Sequence, residues 1–241
     1  MTTLVLTAHG SADPRSAANT RAVAGLLSRL RPGLDARVAF LEQNAPALGE
    51  VLAGLSGTRE AVVTPLLLAD AYHAGIDIPG QIARSGAAGS GIDVRQADAL
   101  GEDDRLVSVL RDRLAVLGVS RRDDALGVLV VAIGSSDAAA NARTAAVAAK
   151  LAAGTRWAAT TAFATRPEPS VADAASQLRR RGARRLVIAP WFLAPGRLTD
   201  RVWAYARDAD IPMAPPLGAH RLVAATVLDR FDQALADRMV A

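Results

Sequence analysis

Three histidines, His9, His73 and His220, occur in a chain of 241 residues that contains no cysteine. Without thiols there are no disulfides, thiolate metal sites or cysteine nucleophiles. Metal or acid–base chemistry therefore falls to imidazole and carboxylate. His9 follows the apolar run Leu4-Val5-Leu6 and opens the turn His9-Gly10-Ser11. Glu42 follows a second run that ends in Phe40-Leu41, and His73 lies beyond a third, Val62-Val63-Thr64-Pro65-Leu66-Leu67-Leu68. Two neutral imidazoles and one carboxylate suit Fe(II), Co(II) or Ni(II) and leave positions open for exchange. Imidazole also changes charge near neutral pH and can take up protons, so activity that uses it should fall below roughly pH 6. For each histidine alone a structural reading stays open: His9 bonded to a helix N-terminus, His73 on the surface. Two of three histidines at comparable strand ends favour the functional reading. His220, just before Arg221 and the last apolar stretch, reads as a helix cap.

The elements that must position these groups alternate. Short apolar runs over residues 3–8, 35–41, 60–68 and 92–97 have the length of buried parallel strands, and helical stretches follow each. The first helix is signposted by Ser11 or Asp13 as cap, Pro14 in its first turn and Pro32-Gly33 as its stop. Asp137 can cap a helix that runs to Gly154. Alternating strands and helices imply open parallel sheets covered on both faces, with ligands bound at the carboxyl ends of the strands. His9, Glu42 and His73 fall at three such ends.

The chain is also written twice. Leu4 to Asp13 aligns with Leu129 to Asp137, Ala39-Phe40 and Pro46 with Ala162-Phe163 and Pro169, and Ala61 to Ala69 with Leu186 to Ala194. Ala99-Leu100-Gly101 before Arg105 answers Pro216-Leu217-Gly218 before Arg221, so the offset stays between 116 and 125 residues over four ordered blocks. The expectation is two tandem doubly wound α/β domains with a cleft between them, residues 1–121 and 122–241, joined through Ser120-Arg121-Arg122-Asp123-Asp124.

Composition excludes several classes. No apolar run approaches the roughly 18 residues of a membrane span, and Met1-Thr2-Thr3 lacks the basic flank of a signal peptide. A cytoplasmic protein is expected. Net charge is +4 and Lys150 is the only lysine among 28 basic residues. The cluster Arg179-Arg180-Arg181 with Arg184-Arg185 has no interleaved aromatics, so nucleic acid is not the expected partner. Arginine serves equally to clamp carboxylates of a small polyanion. The turn Ser11-Ala12-Asp13-Pro14-Arg15 enters a helix and offers N–H groups to an anion, but lacks the glycines of a nucleotide fingerprint.

Thr7-Ala8-His9-Gly10-Ser11-Ala12-Asp13-Pro14, Phe40-Leu41-Glu42, and Pro65 to Leu68 with Tyr72-His73 and Ile76-Asp77-Ile78-Pro79 resemble the class II tetrapyrrole chelatases, in their two-domain form. These are the sirohydrochlorin ferrochelatases and cobaltochelatases, and the resemblance spans essentially the whole chain. It implies a lyase that inserts a divalent metal into sirohydrochlorin without ATP; nothing in the residues separates iron from cobalt, and the lack of a histidine-rich tail turns the expectation to iron and siroheme synthesis. The metal is then substrate, and no organic cofactor is expected. His9 and His73 match the family's metal-handling histidines and Glu42 an associated acid. Ser11, Arg15 and Tyr72 become candidates for substrate contact. The second half has Ile133, Thr165 and Leu198 at the three ligand positions, which implies one site, in the first half, on a monomer. Trp191 replaces Leu66 in the second half and is a candidate to face the substrate. Against this stand a cobaltochelatase of anaerobic cobalamin synthesis, a non-catalytic metal or tetrapyrrole carrier, and a periplasmic-type two-lobed binder that the missing signal sequence disfavours.

Overall fold

A computed structural model describes residues 2–69, 73–87, 89 and 91–237, with only the backbone described at 73 and 74. By contacts the chain forms two units: residues 1–101 with 219–241, and residues 102–218.

The first unit carries a parallel sheet of β1 (Thr2–Ala8), β2 (Asp35–Phe40), β3 (Glu60–Pro65) and β4 (Asp93–Gln96), in the order β2-β1-β3-β4. With β1 central, Val5 pairs with Arg37 on one side and Val63 on the other. The period of two then divides the core. Val5, Ala61 and Val63 face a cluster with Leu48 and Leu52 of α2 (Leu48–Ala53) and Ile78 of α3 (Ile78–Arg84). The other face lies against α1 (Pro14–Leu30) and α8 (Arg221–Ala236). Helix α1 starts where the chain says it should: Asp13 accepts from the Arg15 N–H, and Pro14 occupies the first turn, where its missing N–H costs nothing. Arg31 just past α1 grips Asp232 of α8 through two 2.6 Å hydrogen bonds, and this pairing raises the Arg31 pKa.

The second unit repeats the plan. Strands β5 (Leu126–Ala132), β6 (Ala158–Phe163) and β7 (Arg185–Pro190) run parallel in the order β6-β5-β7. Leu129, Val131, Leu186 and Ile188 pack on α6 (Val171–Arg180) and α7 (Arg197–Asp208). Helices α4 (Asp104–Ala115) and α5 (Ala138–Ala152) cover the other face. Asp137 caps α5 by accepting from Ala139 and Ala140 N–H. A fourth strand, expected from the repeat, is reduced to an isolated bridge of Met213 with Ile188. Pro212, Pro215 and Pro216 surround Met213, and a residue without an N–H cannot extend a ladder.

The units do not coincide with the sequence repeats. Helix α4 ends the first repeat but completes the second unit, and α8 ends the second repeat but completes the first. The polar run Ser120–Asp124, expected as the interdomain linker, is instead a turn inside the second unit: Trp157 Nε1 donates to Ser120 O at 2.8 Å and Asp123 pairs with Arg185 at 3.0 Å. The chain passes between units just before α4 and just before α8, each time after a left-handed glycine, Gly101 (φ 63°) and Gly218 (φ 68°). His220 caps α8, its Nδ1 accepting from Leu222 N–H at 3.2 Å, as Asp103 caps α4 by accepting from Arg105 N–H.

Candidate functional site

The carboxyl ends of β1 and β2 are tied by backbone hydrogen bonds beyond the strands. Leu41 N–H donates to Ala8 O and Glu42 N–H to His9 O, each at 3.0 Å. Gly10 makes this approach possible. Its φ is +97°, and a Cβ there would lie 1.8 Å from the Glu42 carbonyl oxygen, so no other residue fits without moving backbone. The consequence is that His9 Nδ1 comes within 3.4 Å of Glu42 Oε1. Nδ1 also lies 3.1 Å from Gly10 O. Nδ1 thus faces two oxygens, and carboxylate and carbonyl acceptors commonly orient metal-binding imidazoles in this way. Both side chains are accessible, His9 at 36% and Glu42 at 53%, so an ion can arrive and leave.

The third expected ligand stands at the end of β3. His73 begins a single π-helical turn, His73–Asp77, that runs directly into α3. The backbone places it on the loop beyond the carboxyl end of β3, and its side chain lies outside what is described. Tyr72 likewise lies outside the described residues. Among the described residues no group of three or more histidines, aspartates or glutamates is close enough to hold a metal. The pair His9–Glu42 is what the described structure brings together.

The turn after His9 differs from expectation. Its N–H groups, read from the sequence as an open anion cradle, already have acceptors. Ser11 N–H donates to Asn44 Oδ1 at 2.7 Å, Ala12 N–H to Gln43 Oε1 at 2.8 Å and Asp13 N–H to Ser11 Oγ at 3.0 Å. The guanidinium of Arg15 is bonded to Asp13, with Nη2 2.6 Å from Oδ2. The side-chain oxygens of Gln43 and Asn44 thus take the place an anion would fill. Sequence reasoning passed over both residues; the signal was the polar run Glu42-Gln43-Asn44 immediately after a buried strand. Gln43 also donates to Glu42 Oε1 at 3.0 Å, holding the carboxylate, and Gln81 of α3 donates to Leu41 O at 3.2 Å.

The second unit keeps this backbone and changes its side chains. Ala164 N–H donates to Ala132 O and Thr165 N–H to Ile133 O. Gly134 has φ +94°, and a Cβ there would meet the Arg166 carbonyl oxygen at 1.7 Å. Ile133, in the place of His9, is 45% exposed. Thr165, in the place of Glu42, turns its hydroxyl back to Ile133 O at 2.6 Å. Leu198 packs onto the core cluster of this unit. Trp191, a candidate to face a ligand, is 2% exposed and fills the interior.

Two parallel α/β units, each built on the same repeat and one of them bearing an imidazole–carboxylate pair at its strand ends, are the architecture of a two-repeat chelatase. SirB from Bacillus subtilis, in a structure with Fe3+, superposes with a TM-score of 0.85 over 99% of this chain and 97% of its own, at 22% identity. The chain belongs to the CbiX family of class II chelatases, whose model matches residues 3–117 and again 127–234. A sirohydrochlorin ferrochelatase from Priestia megaterium is 28% identical over 209 residues, 84% of this chain and 77% of the relative. A sirohydrochlorin cobaltochelatase from the same organism is 26% identical over 211 residues, 84% of this chain and 67% of the relative. No helix among the described residues is long and apolar enough to cross a membrane.

Proposed function

We propose that this protein is a cytoplasmic, monomeric chelatase that inserts a divalent metal, iron in preference to cobalt, into sirohydrochlorin without nucleotide. The observation that carries the reading is the 3.4 Å approach of His9 Nδ1 to Glu42 Oε1 at the carboxyl ends of two adjacent strands, in a chain of this family. The metal is the second substrate. His9, Glu42 and, from the neighbouring loop, His73 receive the ion; the macrocycle displaces them as its four nitrogens take over. Incomplete coordination serves this purpose, since a closed four-ligand site would retain the ion. Metallation exchanges one M²⁺ for two pyrrolic protons, and the imidazoles and carboxylate that release the metal are placed to accept them. Ser11 and Arg15 on the following turn, and Tyr72 beside His73, are the proposed contacts to the substrate from this unit. The iron reading follows the sirohydrochlorin ferrochelatase relative, 28% identical, against 26% for the cobaltochelatase.

Anaerobic mixing of sub-stoichiometric protein with sirohydrochlorin and Fe²⁺, followed by absorption, tests the reading. Many turnovers per chain support it, and a single burst equal to the protein concentration makes the protein a carrier. Parallel rates with Co²⁺ at matched concentration decide between the two metals.

A further inference from the structure

The arginine cluster of the second repeat plays no part in the chelatase reading, and the fold gathers more cations around it than the sequence run contains. Strands β5, β6 and β7 start level with one another, Gly127 pairing with Ala158 and Leu126 with Arg185, so the loops that enter them share the amino end of one sheet. Backbone hydrogen bonds stitch these loops together. Arg156 N–H donates to Arg121 O at 2.8 Å, and Arg184 and Arg185 N–H donate to Ala125 O at 2.9 and 3.1 Å. Arg121 and Arg122 stand on the loop before β5 and Arg156 on the loop before β6. Arg179 and Arg180 end α6, Arg181 follows it, and Arg184 and Arg185 lead into β7. All eight residues are exposed. Of the eight guanidinium groups, only that of Arg185 has an acceptor among the described residues, Asp123 Oδ2 at 3.0 Å. Arg179 and Arg180 complement the carbonyls of a helix end, but Arg121, Arg122, Arg156 and Arg184 stand on no helix.

Residues 119–125, 153–157 and 179–185 hold eight arginines against Asp123 and Asp124, whereas the rest of the chain holds 20 basic and 22 acidic residues. The positive excess of the chain thus resides at this edge. On the far side of β7 the end of α7 adds Arg207, paired with Asp208, and Asp210, and does not change the sign. Adjacent strands are about 4.8 Å apart, so the three strand starts span about 10 Å, a compact patch that about four extended residues cross. Its chemistry selects among polyanions. Trp157, the one aromatic residue of these loops, is 8% exposed and its Nε1 donates to Ser120 O, so there is no platform for stacking a base. Backbone N–H groups that would cradle a phosphate are taken: Gly182 donates to Arg179 O, Ala183 to Leu178 O and Asp123 to Ser120 O. Helix α6 arrives by its C-terminal end, whereas phosphates gather at helix N-termini. The exposed Ile76, Val116, Ile133 and Trp203 all lie outside these loops, which leaves no large apolar side chain to enter a bilayer. Guanidinium groups remain, and these bind carboxylates two hydrogen bonds at a time.

We propose that this edge docks an acidic segment of a partner protein, a short run of aspartate and glutamate whose carboxylates the free guanidinium groups clamp. The inference does not rest on the chelatase reading. Strand rise puts the carboxyl end of β5, seven residues long, about 20 Å away, so a partner bound here leaves those strand ends uncovered. Fluorescence anisotropy of a labelled hexaglutamate peptide with the full chain tests it at about 150 mM salt, where screening confines charges to a reach of about 8 Å. Wild type should bind the peptide. Arg181→Glu with Arg184→Glu should weaken binding at least about tenfold, and Arg121→Glu with Arg122→Glu, on a different loop, should do the same. Both pairs should keep the far-UV circular dichroism and the metallation rate of wild type. Arg29→Glu with Arg59→Glu, exposed arginines of the first unit, changes the net charge equally and should leave the Kd within about twofold. A control pair that loses as much, or wild-type protein that leaves hexaglutamate unbound, overturns the docking site. So does tighter binding by wild type, at the same salt, of duplex DNA or of phosphatidylserine–phosphatidylcholine vesicles, which would assign the edge to phosphate.

Discussion

The edge of β1–β2 and the edge of β5–β6 share one backbone. In both, a glycine with φ near +95° lets the loop after one strand touch a carbonyl of the next, and the same two backbone hydrogen bonds close the gap. What stands on that backbone differs: His9 and Glu42 in one, Ile133 and Thr165 in the other. The glycine is thus a requirement of the fold, kept where neither imidazole nor carboxylate is present to be positioned. The imidazole and carboxylate are the part tied to the proposed chemistry. A glycine next to a histidine in such a loop is weak evidence for a site; the histidine at a tip that its twin fills with isoleucine is much stronger.

Substitutions can break this comparison at different strengths. His9→Ala removes the group the reading depends on and should lower metallation at least about 100-fold, as expected for an acid–base and ligand residue, with the fold intact. Ile133→Ala should leave that metal affinity unchanged in calorimetric titration. Gly10→Ala and Gly134→Ala should both destabilise, each by about 2 kcal/mol or more, since a Cβ would overlap a carbonyl at a positive φ. A shift in the denaturation midpoint for only one of them would show that the two edges are not equivalent. Glu42→Gln keeps the shape but not the charge and should weaken Fe²⁺ binding about tenfold. The converse transplant, Ile133→His with Thr165→Glu, should add a second weak metal site detectable by calorimetry, because the Thr165–Ile133 hydrogen bond of 3.1 Å repeats the Glu42–His9 bond of 3.0 Å. The smallest effect concerns the helix ends. His220→Ala should cost about 1 kcal/mol through the lost cap, whereas His220→Asp, which copies Asp103, should cost nothing measurable.

Much of this was legible beforehand. The run lengths of the strands, Asp13 with Pro14, Asp137 before α5 and His220 before α8 are local signals, and the structure follows them to within a residue or two, except that β3 stops at Pro65, three residues short of the apolar run. The meeting of His9 and Glu42 was legible less directly, through the rule that ligands of open parallel sheets gather at the carboxyl ends of strands. Asn44 and Gln43 were not legible as partners of the β1–α1 turn. Their separation of about 30 residues from Ser11 and Ala12 closes only once β1 and β2 are paired.

The amino-acid sequence determined by itself the alternation of strands and helices, the repeat, the caps and the confinement of His9 and His73 to the first half. Each of these is written in residues a few positions apart, where periodicity and φ preference act on the chain directly. Tertiary structure alone decided that α4 and α8 cover the sheet of the opposite repeat, and that Pro212 to Pro216 leave only a bridge where a fourth strand was expected. Those outcomes depend on which buried faces and strand edges meet across a hundred or more residues. A helix's apolar stripe specifies that it must be covered, but not by which sheet.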